Sequence, residues 1–121
     1  MSQNPLNLAV RFLLEIIALI AIGAWAKAQF SGILGFALMI GLPLIAAVIW
    51  GTFNVKDDPS RSGKAPVPVP GMIRLFIEFG LFASATWALF TINPTYGWLY
   101  GSVTLVHYLL SYDRIIWLLK R

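Results

Sequence analysis

Four ionisable residues sit where an apolar chain has least reason to keep them. RFLLE (residues 11–15) puts Arg11 four residues before Glu15, and RLFIE (residues 74–78) puts Arg74 four before Glu78, sixty-three residues later in each case. On a helix, residues four apart share one face, about 6 Å apart along the axis, so each arginine can pair with its glutamate. Burial and a neighbouring guanidinium act on a carboxylate's proton affinity in opposite senses, the balance a proton-coupled site needs. A third group joins them. Tyr100, Thr104, His107, Ser111 and Arg114 are spaced 4, 3, 4 and 3 and form one polar stripe on a helix. The chain runs back toward the same end there, which brings His107 near the level of the glutamates and Asp113 and Arg114 near that of Arg11 and Arg74.

The candidate site is therefore Glu15, Glu78, Arg11, Arg74, His107, Thr104 and Ser111. If hydrocarbon begins near Leu8 and Gly71, each glutamate lies roughly 10 Å deep at 1.5 Å per residue. Arginines one turn nearer the surface can snorkel outward, whereas glutamates at that depth should face the bundle interior, at matching depth. Two readings stand side by side. In one, the glutamates and His107 line a polar cavity for protons, a cation or a small polar solute. In the other, two Arg–Glu pairs lock short helices together, as intramembrane polar contacts do. For His107 alone, a hydrogen-bonded core histidine is the preferred reading over a ligand. One imidazole with two carboxylates is thin support for a metal, and none is expected.

The elements that must position these groups are helices in a bilayer. The chain of 121 residues is 59% hydrophobic and 12% charged, where an average soluble domain carries about a quarter charged residues. Four runs, about Leu6–Ala28, Ile33–Phe53, Gly71–Ile92 and Tyr96–Leu119, each reach the roughly 20 residues that span about 30 Å of hydrocarbon. No charged residue or histidine stands between Ala28 and Val55 or between Phe79 and Val106, so the turns inside those stretches are short. The runs lack strand alternation, and lipid admits only helices and closed barrels. The expected fold is an all-α membrane protein: a four-transmembrane-helix up-down bundle, one domain over 1–121, with hairpins 6–53 and 71–119 joined by a linker, 54–70.

Charge placement orients it. Eight of the nine basic residues fall at the termini or around the central linker, and Lys27 alone lies opposite. The positive-inside rule makes the termini and linker cytoplasmic. The net charge of +4 thus reflects topology and attraction to anionic lipid heads, with no basic patch interleaved for nucleic acid. The chain has no cysteine, which excludes disulfides, thiolate metal sites and dithiol redox chemistry. Ala24-Trp25-Ala26 has the form of a signal-peptidase site, but Glu15 interrupts the apolar region before it and the first helix is expected to stay uncleaved.

Lesser features fit this frame. Pro66, Pro68 and Pro70 favour an extended, polyproline-like path, and Gly63-Lys64 lacks the remainder of a phosphate loop. The hairpins look duplicated, because Trp25 and Trp87 follow the Arg–Glu pairs at nearly equal distance; parallel repeats related by an axis along the membrane normal are expected. Gly97-x-x-x-Gly101 is a close-packing motif within the bundle. Pro43 frees the Met39 carbonyl and should kink its helix. Trp25, Trp50, Trp87, Trp98 and Trp117 fit an aromatic belt.

GLPLIAAVIWGTF (residues 41–53), KAPVPVPG (64–71) and the paired RFLLE and RLFIE resemble the YrdB-like proteins, small four-helix bacterial membrane proteins of unknown function, over about residues 6–92. The resemblance implies the bundle and the bacterial inner membrane. It marks Arg11, Glu15, Arg74 and Glu78 as family-like positions and brings no activity. The function expected is non-enzymatic and cofactor-free: a small carrier or binding protein for a proton-linked or cationic solute, in outline similar to small multidrug carriers. A structural or assembly protein is the alternative, with a quinone-linked oxidoreductase using His107 and Tyr108 third. The partners expected are the lipid bilayer and that solute, with homo-oligomerisation left open.

Overall fold

The computed structural model of the protein describes residues 4–58 and 65–121. Five helices follow one another: α1 (Pro5–Gln29), α2 (Gly32–Thr52), α3 (Gly71–Ile92), α4 (Pro94–Leu110) and α5 (Tyr112–Leu119). Among the described residues the fold is all-helical apart from a two-residue parallel ladder between β1 (Phe53–Asn54) and β2 (Val67–Pro68). α1 and α4 begin alike. Asn4 and Asn93 each lend a side-chain oxygen to a backbone N–H two residues on, at 2.9 and 3.0 Å, and a proline follows at the first helical position, where its missing N–H costs nothing. The α1–α2 turn is two residues long, and Gly32 leaves it at φ +65°, a conformation glycine adopts without steric cost.

Three helices, α1, α2 and α3, are long and apolar enough to cross a membrane. Their surfaces agree with that use. Only Gly35 of α2 is buried, and Ile33, Ile40, Leu44 and Val48 are exposed, apolar area that water would not tolerate and a bilayer would cover. The fourth run departs from expectation. Tyr96–Leu119 is two helices, because the chain breaks at Ser111, whose φ of −106° and ψ of 28° lie off the helical values. Its N–H reaches both His107 O (2.9 Å) and Tyr108 O (3.2 Å), a tightened last turn.

α1 and α3 form the centre: α2 packs mainly on α1, α4 mainly on α3, and α1 meets α3 directly. The core between them holds Leu14, Ala18 and Ala21 of α1, Phe82, Ala85 and Ala88 of α3, and Tyr100 and Tyr108 of α4. Small residues permit close approach. A Cβ on Gly23 would come 2.8 Å from the Met39 carbonyl and 3.2 Å from the Pro43 ring, so the carbonyl that Pro43 leaves without its helical partner lies against α1. Gly97 and Gly101 face Phe90 and Thr86 of α3, which places that motif inside the molecule. A second apolar cluster, Val55, Leu75 and Leu118, ties α5 to α3 and to the chain just past α2. Val67 and Pro68 are extended and pair with Phe53 and Asn54; Arg61 and Gly63-Lys64 lie outside the described residues.

Candidate functional site

Glu78 is the hub of the charged residues. It lies on the inner face of α3 with no exposed surface. Arg11 of α1 donates from Nη2 to Oε1 at 2.6 Å, and Arg114 of α5 donates from Nη2 to Oε2 at 2.7 Å and from Nε to Oε1 at 3.4 Å. The Tyr108 hydroxyl of α4 donates to Oε1 at 3.0 Å. Arg74 stands one turn before, its Nε 3.3 Å from Oε2. Four helices thus converge on one carboxylate. All three arginines are buried, and two further carboxylates balance them. Arg11 Nε is 3.3 Å from Glu15, and Arg114 Nη1 reaches Asp58 at 2.5 Å. Three guanidinium groups facing three carboxylates leave no formal charge, the condition under which ion pairs survive desolvation.

Arg74 has a second task. Arg74 Nη1 donates to Trp50 O at 2.7 Å and Phe53 O at 3.0 Å, while Asn54 Nδ2 takes Gly51 O at 2.8 Å. Helix ends leave carbonyls without intrahelical partners and carry partial negative charge, so a cation aimed at the α2 C-terminus answers both. The same guanidinium stacks 4.1 Å from the Trp50 ring, with Arg11 5.5 Å away. Trp50, expected in an interfacial belt, therefore lies against the charged cluster.

The polar stripe on α4 is spent on neighbours. His107 is buried, and its Nδ1 lies 2.9 Å from Asn7 Oδ1; Asn7 Nδ2 donates to Ser111 Oγ at 2.6 Å. With Asn7 Oδ1 facing the ring, the contact is a hydrogen bond in the tautomer that carries the proton on His107 Nδ1. Tyr100 donates to Leu14 O at 2.8 Å, and Thr104 returns its hydroxyl to Tyr100 O at 2.8 Å.

Arg11, Glu15, Arg74 and Glu78 therefore come together, with both four-residue spacings paired at 3.3 Å. The two glutamates are unlike in their surroundings, though: Glu15 is 23% exposed and Glu78 is sealed. Asn7 of α1 joins His107 and Ser111, whereas Thr104 bonds within its own helix and faces the space between α3 and α4. The sequence pointed to none of Asn7, Asp58, Tyr108 and Trp50 as members, and it put Arg114 on the polar stripe at the level of Arg11 and Arg74 without making it part of the candidate site. Asn7 carried a signal, since Asn7, Arg11 and Glu15 are spaced by fours; Asp58 carried none. Cavities described between the helices are apolar. One lies between α3 and α4, one is lined from α1, α2 and α3, and one lies between α1 and α4. Glu15, Glu78 and His107 line none of these three. Among the described residues there is no group of three metal-ligating side chains.

Fold and site together define a helical protein with three helices able to cross a membrane and a sealed, charge-balanced arginine–carboxylate cluster at one end. The chain belongs to the family described as protein of unknown function DUF2568, whose model matches residues 9–105. It is 40% identical over 119 residues to the uncharacterised protein YrdB of Bacillus subtilis, covering 98% of this chain and 97% of that one. No solved structure matches.

Proposed function

We propose that the protein is a non-enzymatic, four-crossing protein of the bacterial inner membrane, with α4 and α5 together making the fourth crossing, and that its charged cluster is a structural lock. The carrying observation is the coordination of Glu78: a fully buried carboxylate whose oxygens accept from Arg11, Arg114 and Tyr108. A carboxylate that binds and releases protons or a cation needs a free oxygen and a path to water. Glu78 gives its oxygens to arginines from the first helix and the last. The lock holds α1, α3, α5 and residues 53–58 in register, a task no single helix pair could do. Support for paired hairpins comes from α1 and α3, where the repeated segments meet: Arg11 of the first pairs with Glu78 of the second, and Trp25 packs on Trp87 at 5.4 Å.

Unfolding in detergent tests the lock. Removing one partner of a buried ion pair typically costs roughly 3–5 kcal/mol, so Glu78→Gln should lose about that much, with part regained in Arg11→Gln/Glu78→Gln, which removes one uncompensated cation. An unchanged midpoint for Glu78→Gln would return the site to the carrier reading.

A further inference from the structure

Away from the lock, a groove of about 780 Å³ lies between α3 and α4, closed at one end by Tyr112 and Ile115 of α5. Phe79, Phe82, Phe90, Leu105 and Leu109 furnish much of its wall. Its polar members turn away from it. Thr86 and Thr104 donate their hydroxyls to Phe82 O and Tyr100 O of their own helices, and Tyr108 donates to Glu78. The wall suits hydrocarbon rather than a polar solute. From Phe79 to Phe90 it runs about 16 Å at 1.5 Å per residue, close to half of the roughly 30 Å hydrocarbon core and therefore to the depth of one leaflet.

What lies beyond the α5 end decides the occupant. Of the described basic residues at this end of the molecule, Arg11, Arg74 and Arg114 are buried in the lock, whereas Lys56, Lys120 and Arg121 are exposed. Val55 packs against Leu118, which sets Lys56, one residue past Val55, beside the chain end that carries Lys120 and Arg121. Arg121 lies over the Trp117 ring, 4.6 Å from its centre, an aromatic of the kind that settles at headgroup level. Apolar wall and exposed cations follow one another along α5, five residues from Ile115 to Lys120.

We propose that this surface binds an anionic phospholipid, one acyl chain in the α3–α4 groove and the phosphate against Lys120, Arg121 and Lys56. The site rests on bilayer insertion and is independent of the role of Glu78. The test uses the whole protein in nanodiscs of phosphatidylcholine with increasing phosphatidylglycerol. A ligand that binds only the folded state raises its stability with concentration, so the unfolding temperature should climb and then level off. Lys56→Gln/Lys120→Gln/Arg121→Gln, which alters only exposed side chains, should remove at least half of the rise. Leu105→Trp, which fills the groove without changing charge, should do the same. A rise that never saturates and ignores both changes would mean general surface charge and overturn the site. So would an equal rise from soluble glycerol phosphate, or cross-linking of Leu105→Cys into dimers, which would mark the groove as the seat of a second copy. Failure to enter nanodiscs at all would refute the membrane reading itself, a result separable from any of these.

Discussion

A four-residue spacing is a property of one helix, and so the two Arg–Glu pairs were legible before any fold was known. What each residue is worth was not. The spacing treats Glu15 and Glu78 as equals, yet Arg114 reaches Glu78 across 36 residues and Asp58 across 56, separations no local pattern records. The two glutamates should therefore respond differently to the same change. Glu15→Gln leaves Arg11 its 2.6 Å bond to Glu78, and at a partly exposed site should cost under about 1 kcal/mol, well below the loss expected for Glu78→Gln. Equal losses in detergent unfolding would contradict the hub. Asn7 gives a second residue-scale expectation. Asn7→Ala strips His107 Nδ1 and Ser111 Oγ of a shared partner, and groups left unsatisfied in a buried place cost about 1–3 kcal/mol. Asn7→Asp, which keeps the acceptor toward His107 but lacks the amide donor, should recover only part.

At the scale of elements, composition located the long apolar helices because length and hydropathy are what a bilayer demands. It could not locate the break in the fourth. Neither glycine nor proline stands near Ser111; the helix ends where Asn7 takes the Ser111 hydroxyl and Leu118 is drawn beneath α3, both of them long-range contacts. Gly71 is the hinge of that arrangement. A Cβ there would run into the Leu118 backbone carbonyl, whereas a Cβ on Gly80 meets nothing within 4 Å. Gly71→Ala must push α5 off α3, separating Leu118 from Val55 and loosening Arg114 from Glu78, and a loss of several kcal/mol is expected, as for other overpacked or broken buried contacts. Gly80→Ala, in an open helical position, should be neutral or stabilising by about 0.5–1 kcal/mol. Unfolding midpoints of the two variants compare a close approach with a merely flexible residue, and similar effects would remove Gly71 from that role.

For the whole molecule, the question is whether the chain crosses three times or four. α4 alone has 17 residues, the lower limit for a span, and only with α5 does the fourth segment gain length. The ion pair between Arg114 and Asp58 supports the four-crossing proposal: it puts the last helix on the side where α2 ends and α3 begins, as an even number of crossings requires with the N-terminal end of α1 also there. Arg11 and Asn7 bind Glu78 and Ser111, so it is there. Because the chain has no cysteine, single-cysteine variants report topology without further changes. Lys56→Cys and Lys120→Cys should be shielded from a membrane-impermeant maleimide in intact cells and react after lysis. Ser31→Cys and Thr95→Cys, at the α1–α2 and α3–α4 turns, should react at once. All four exposures are suited to the probe, since each of these residues is exposed. Labelling of Lys120→Cys but not Lys56→Cys from outside would break the Arg114–Asp58 pairing and with it the fourth crossing; labelling of both, with Ser31→Cys and Thr95→Cys protected, would keep the four crossings and invert the orientation that the basic residues predict.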